Sequence, residues 1–308
     1  MAKEGPRGCP FCLVPLDTEG EWNLSLLENA ASLSGGECIF ASSADDASEQ
    51  PNPLATSTRP LDEVLSAVKR VIACEAVRDS GNVYDLPAPR QPTAVLVGNE
   101  VRGIPRSVLK KADAIVAVPM SGAGMSSINV AVSAAIALYV LSHDLGRRRK
   151  RTGELPQRDI DVLIHAPEDP HELGSLLRSV WSFGWKRVFV SDPHGAWFTR
   201  DRDKVVEGRA AARRAKNPLA VVPSAQMDPN RYDRVLLCDG EREGVPLSRL
   251  RLPSSGRLLV VYGRGTATET AEHVFVDHAR PQTMPRFRHA GSILLSMISQ
   301  MTLESHAR

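Results

Sequence analysis

A length of 308 residues gives room for one large or two ordinary domains, each able to bury a core of its own. With 42% hydrophobic and 24% charged residues the composition is ordinary for a globular protein, which excludes disordered and fibrous classes. A formal net charge of +2 creates no bulk field for polyanions, so any affinity for nucleic acid must come from local patches.

No apolar run reaches membrane-spanning length; the small-residue stretch Asn129–Leu141 is too short. The opening MAKEGPRGCP reads as neither a signal peptide nor an Arg-rich transit helix. Five cysteines, an odd number without a disulfide framework, suit a reducing compartment, cytoplasmic or mitochondrial. Cys9-Pro10-Phe11-Cys12 has the spacing of half a zinc site or of a redox pair. A structural zinc needs four ligands, however, and no second paired motif exists, so no metal is expected.

In chain order, Cys12–Leu16 reads as a buried strand and Asn23–Leu33 as an amphipathic helix stopped by Gly35-Gly36. Cys38–Ala41 is a short strand, Ser42 to Pro60 a polar surface loop, Leu61–Cys74 a helix and Asn82–Leu86 a strand. The Pro-rich Pro87–Pro92 leads into the apolar run Ala94–Val97, which ends at Gly98-Asn99-Glu100 with Gly103 beyond. A short helix with Pro105 near its start precedes a second run, Ile115–Val118, which meets Pro119-Met120-Ser121-Gly122 with Gly124 following. A long small-residue helix starts near Ser126 and Ser127. Strands alternating with helices argue for an α/β fold on a largely parallel sheet.

Both strands end in glycine-rich loops that let backbone amides and carbonyls approach a ligand. Neither GxxxxGK[ST] nor GxGxxG after a strand is present, and Glu100 would repel a phosphate. A ligand uncharged or cationic at its reactive end fits better.

Arg147-Arg148-Arg149-Lys150-Arg151, followed by Gly153 and Pro156, reads as an interdomain linker over 147–159. Its cations suit a solvated face, a nuclear-type signal or a phosphate-binding arm. From Ile160 the pattern starts again: VLIHAPEDPHELGSLLRSVWSFGWKRVFVSD answers LVPLDTEGEWNLSLLENAASLSGGECIFASS at a constant offset of 149 positions. Asn23 falls on Glu172, Asn29 on Arg178 and Phe40 on Phe189. Leu258–Tyr262 answers Ala94–Gly98, Val274–Val276 answers Ile115–Ala117, and His289–Ser299 answers Val130–Val140. The expectation is a duplicated domain, 1–146 and 160–308. The second half adds Trp197 to Lys216, where helical spacing puts Arg209, Arg213 and Lys216 on one face, either solvated or in contact with phosphate. Trp181, Phe183 and Trp185 read as core rather than as stacking platforms.

Gly98-Asn99-Glu100-x-x-Gly103-Ile104 and Val118-Pro119-Met120-Ser121-Gly122, with Ser127-Ile128-Asn129-Val130-Ala131-Val132, resemble motifs two and three of the SpoU/TrmH branch of SPOUT RNA methyltransferases. The resemblance implies a deep trefoil knot that binds S-adenosylmethionine. One departure is a Gly122–Ser127 loop one residue longer than the family pattern. Motif one of that family, Asn-x-Gly-x-x-x-Arg, is split between the copies. The second half keeps Gly174 and Arg178 but has Glu172 for the Asn, whereas the first keeps Asn23 and has Asn29 for the Arg. The cofactor motifs survive in the first half alone, the second reading Tyr262-Gly263-Arg264-Gly265 and Arg288-His289 there.

Family enzymes are homodimers with active sites across the subunit interface. The resemblance therefore implies two tandem SPOUT domains packed as an intramolecular pseudo-dimer, monomeric as a chain, with one retained composite site. Arg178 would meet an RNA phosphate and assist deprotonation of a ribose 2′-hydroxyl, or act by electrostatic positioning. Ser127 and Asn129 would orient ribose and methionine, and Glu100 would fix the pocket loops. The cofactor would lie against Gly98, Asn99, Val118, Met120, Gly122, Ser127 and Ile128. The implied activity is S-adenosylmethionine-dependent 2′-O-methylation of structured RNA, tRNA or rRNA. The alternative is a catalytically silent scaffold that binds RNA or a ribonucleoprotein precursor. Taken apart from the other motifs, Arg178 reads as a surface arginine of an amphipathic helix, and Ser127 and Asn129 as helix caps.

Overall fold

The computed structural model describes residues 11–18, 21–42, 58–121, 127–145, 160–252, 255–265, 270–280 and 282–303. Cys9, the linker 147–159 with its basic run, and Gly122 with most of its loop lie outside these. Two compact units divide the chain: Met1–Pro119 with Asn129–Thr152 and His278–Pro285, and Met120–Ile128 with Gly153–Asp277 and Arg286–Arg308.

The first unit runs β1 (Phe11–Pro15), α1 (Glu21–Leu33), β2 (Glu37–Cys38), β3 (Ala41–Ser42), β4 (Arg59–Pro60), α2 (Leu61–Ser66), β5 (Arg70–Cys74), β6 (Gly81–Asn82), β7 (Thr93–Val97), α3 (Arg106–Leu109), β8 (Ala114–Ala117) and α4 (Val130–Ser142). Its main sheet is parallel throughout, in the order β2-β1-β7-β5-β8-β6. β7 pairs on both sides, Thr93 facing Phe11 and Arg70, and every residue of it is buried. That explains a strand reading TAVLV without polar alternation. α4 is equally apolar, buried from Ala134 to Leu141, and packs against α1.

Three sequence expectations change here. The single helix over Leu61–Cys74 is instead α2, ending at Ser66, followed by strand β5. The β-branched Val71 and Ile72 lie in a strand bonded to both β7 and β8, and that pairing overrides the local helical pattern. Asn82–Leu86 is a two-residue strand followed by a 3-10 turn over Val83–Asp85, capped by the Asn82 carbonyl, which accepts from the Tyr84 amide at 2.9 Å. The long helix begins at Val130, not near Ser127, because Asn129 is its N-cap.

The second unit runs β9 (Ile160–His165), α5 (Pro170–Ser182), β10 (Arg187–Ser191), α6 (Arg202–Ala211), β11 (Ala220–Pro223), β12 (Arg234–Cys238), β13 (Val245–Pro246), β14 (Leu258–Tyr262), β15 (Glu272–Phe275) and α7 (Phe287–Leu303). Its parallel sheet has the order β11-β10-β9-β14-β12-β15-β13. With β11 set aside, this is the strand order of the first unit, element for element. α5 starts on Pro170, capped by Asp169, and buries nearly every residue, Trp181 among them. The helical face expected for Arg209, Arg213 and Lys216 is not formed: α6 ends at Ala211, Arg213 is left-handed at φ 49°, and Arg214–Lys216 is a separate 3-10 turn.

Candidate functional site

In the first unit the glycine loop after β7 closes on itself. A side chain at Gly98 would come within 2.3 Å of the Gly103 carbonyl carbon and 2.5 Å of the Ile104 amide. Glycine stands here so that the loop can fold back. Asn99 is 6% exposed and locks the turn: its carbonyl accepts from the Val101 and Arg102 amides, and its amide donates to the Asp17 carbonyl at 2.7 Å. Its side chain is thus engaged in closing the turn, and its backbone amide and carbonyl pair with Gly103 at 3.3 and 2.9 Å. Glu75, which sequence reasoning missed, accepts from the Ile104 amide at 2.9 Å beside Gly103.

Glu100 and Asn129 are brought together by a residue absent from the candidate set. The Asn23 amide donates to Glu100 Oε1 at 2.6 Å, and Asn23 Oδ1 accepts from Asn129 Nδ2 at 3.1 Å. Asn129 meanwhile caps α4, its Oδ1 accepting from the Ala131 and Val132 amides. This cluster is half-buried. It offers one carboxylate among neutral amides, a set that suits a cation or a hydroxyl and disfavours an anion. Val118, in the same unit, is buried at the end of the β8 run.

In the second unit Arg178 meets Ser127. Its Nε donates to the Ser127 carbonyl and its Nη2 to Ser127 Oγ, both at 2.8 Å, with the residue only 8% exposed. The reading as a surface arginine is therefore excluded. Burial pulls its guanidinium from the usual value down to about 10, and the charge of Arg213 adds to the effect. Ile128 and Met120 are half-buried in the same segment. Gly184, at φ 102°, leaves room for Ser121 Oγ, which would lie 2.4 Å from a side chain there.

In the second unit, Glu172 and Arg288, the residues that the sequence offsets set against Asn23 and Asn129, carry opposite charges. Glu172 accepts from the Arg288 backbone amide at 2.9 Å, and Arg288 Nη2 lies 3.0 Å from Glu172 Oε1 and 2.7 Å from His171 Nδ1. Arg288 is fully buried, and Glu172 is 7% exposed. At Gly265 a side chain would fall 2.3 Å from the His165 ring, so that loop too is filled from inside. An open polar cluster in one unit is thus a sealed ion pair in the other.

Residues 35–139 match the model of the SpoU rRNA Methylase family. A tRNA/rRNA methyltransferase of Mycolicibacterium vanbaalenii, itself uncharacterised, is 32% identical over 166 residues, 49% of this chain and 51% of that protein. The chain thus spans about half the length of the curated relative it matches. Among solved structures, the TrmH/SpoU tRNA modifying enzyme of A. aeolicus is 20% identical, with a TM-score of 0.37 over 47% of this chain and 78% of that one. The SpoU methyltransferase AviRb of Streptomyces viridochromogenes, in complex with AdoMet, is 24% identical, with a TM-score of 0.36 over 48% and 61%.

Proposed function

We propose that this chain, which carries a SpoU rRNA methylase domain over residues 35–139, is an RNA methyltransferase acting on a ribose 2′-hydroxyl of tRNA or rRNA. The observation that carries the reading is the buried Arg178 guanidinium, held by two hydrogen bonds on Ser127 next to the Ile128-Asn129 step into α4. A charge costs free energy to bury, and one fixed this way has a task beyond solubility.

The family uses S-adenosylmethionine, which when bound supplies an electrophilic methyl on a sulfonium. The first-unit cluster places a carboxylate, Glu100, among neutral amides, with Asn23 holding it in place, a lining that repels no cation. The resemblance assigns Gly98, Asn99, Val118, Met120, Gly122, Ser127 and Ile128 to the cofactor. The second unit offers a buried cation, Arg288, at the corresponding place and does not fit a sulfonium. The chain therefore acts as a duplicated domain with one working site.

Arg178 acts as a charge and not as a base. With its pKa at about 10, only about one guanidinium in a thousand is neutral at pH 7. Two of its five N–H donors are committed to Ser127, and the others are left for a phosphate oxygen of the substrate. Ser127, oriented by that fork, and Asn129, oriented by Asn23, position the ribose.

Calorimetric titration with S-adenosylmethionine tests the reading, the expected result being saturation at one molecule per chain. Arg178→Ala should then lower methylation of bulk tRNA or rRNA by about 10²- to 10³-fold while cofactor affinity stays within about twofold. Absence of cofactor binding would overturn the enzyme reading in favour of a silent scaffold for RNA or a ribonucleoprotein precursor.

A further inference from the structure

Beyond α6 the chain makes a turn that gathers cations around a concavity of about 230 Å³ lined by Arg209, Arg213, Arg214 and Lys216 with two alanines. All four cations are exposed, and among the described residues no carboxylate pairs with Arg209, Arg213 or Lys216. The turn is rigid. Arg214 Nη1 donates to the Asn217 and Leu219 carbonyls at 2.8 and 2.7 Å, and buried Asn217 ties the segment to Leu177 and Ala212.

Arg213 itself sits at φ 49°, a helix-terminating position that favours glycine. Keeping an arginine there strains the backbone, so a side chain is retained at the expense of backbone ease. Cations near a helix C-terminus interact favourably with its dipole, which accounts for Arg209. It does not account for three more on the same concavity, where they repel one another. The segment is also the addition that the second half of the sequence carries relative to the first, so the shared sheet order does not require it.

We infer that this cationic concavity is a phosphodiester-binding site for the RNA backbone, separate from Arg178. The inference rests on the RNA methyltransferase reading and adds where the strand is gripped outside the reacting nucleotide. Arg213 is close enough to Arg178 for their charges to repel, so the cations of the turn and of α5 form one positive field. A bound phosphate relieves that repulsion, and several contacts in register position a strand without reading its sequence.

Fluorescence anisotropy of labelled unfractionated tRNA over a salt series tests it. Arg209→Ala/Arg213→Ala/Lys216→Ala, with Arg214 kept because it holds the turn, should weaken binding at least tenfold and reduce the slope of log K against log salt by about 2 to 3. Arg213→Gly relieves the backbone and is expected to fold at least as well, with a slope reduced by roughly 0.7 to 0.9. A control triple on the first unit, Arg90→Ala/Arg106→Ala/Lys110→Ala, should change the slope by less. Unchanged slopes in both turn variants, or an equal loss in the control, overturn the site. Wild-type protein that binds S-adenosylmethionine but not tRNA overturns this inference, whereas failure to bind the cofactor overturns the reading beneath it.

Discussion

A guanidinium 8% exposed, with a serine hydroxyl and carbonyl on its fork, is set by planarity as much as by charge. Arg178→Lys keeps the charge but cannot span both Ser127 oxygens, so it should resemble Arg178→Ala in methylation rate, within about tenfold, instead of restoring wild-type turnover. If Arg178 acts as a charge, as proposed, the methylation rate of the unmodified protein should not rise tenfold per pH unit between pH 7 and 9, as a guanidine base would require. His289 gives the opposite kind of titration. It is fully buried in α7, and burial, with Arg288 and Arg286 adding repulsion, pushes its pKa down to about 3. An unfolded histidine binds its proton near pH 6.5, so between about 6.5 and 3 the unfolded chain holds a proton the folded one lacks. Stability is then fully present above pH 6.5 and lost as pH falls, with a slope of up to about 1.4 kcal/mol per pH unit from this residue. Urea unfolding at pH 7, 6 and 5 should show that slope, and His289→Leu should flatten it.

Among the elements, the crossing of α5 and α6 is the contact with least tolerance. A side chain at Gly174 would sit 2.1 Å from the Gly208 carbonyl oxygen and 3.0 Å from Ala211 Cβ, so the helix backbones touch where each has a glycine. Gly174→Ala should destabilise the protein by about 1–3 kcal/mol, measured as a lowered urea midpoint at unchanged m-value. Packing accounts for this glycine of the motif-one pattern. Elements with an uninterrupted local signal were legible: β1, α1, β7, β9, α5 and β14 lie where apolar runs and caps put them. The local pattern predicts helix where β5 forms, and a two-residue strand such as Val245–Pro246 is a strand only through its pairing with β15. The site divides the same way. Arg178, Ser127, Glu100 and Asn129 are singled out in the sequence by the family resemblance alone. Asn23 beside Glu100 and Arg288 beside Glu172 are not, because partners separated by 77 and 116 positions leave no periodicity to detect.

For the whole molecule, two sheets of one strand order carry opposite charge arrangements at equivalent places. Asn23 bridges Asn129 and the Glu100 carboxylate through neutral amides, whereas Glu172 and Arg288 neutralise each other out of water. The first arrangement repels no cation and the second has supplied its own. A buried pair of this kind adds little net stability over neutral groups of like size, yet removing one partner strands the other. Arg288→Asn should therefore cost about 3–5 kcal/mol of stability, since the Glu172 carboxylate is left without its counterion. Glu172→Asn/Arg288→Asn, which restores the pair found in the first unit, should recover most of that loss, as read from urea unfolding of the two single variants and the double. If the double variant is no more stable than Arg288→Asn alone, the ion pair is not what holds this part of the fold. If it is more stable yet still takes up one S-adenosylmethionine per chain, the ion pair is not what keeps the second unit from binding the cofactor.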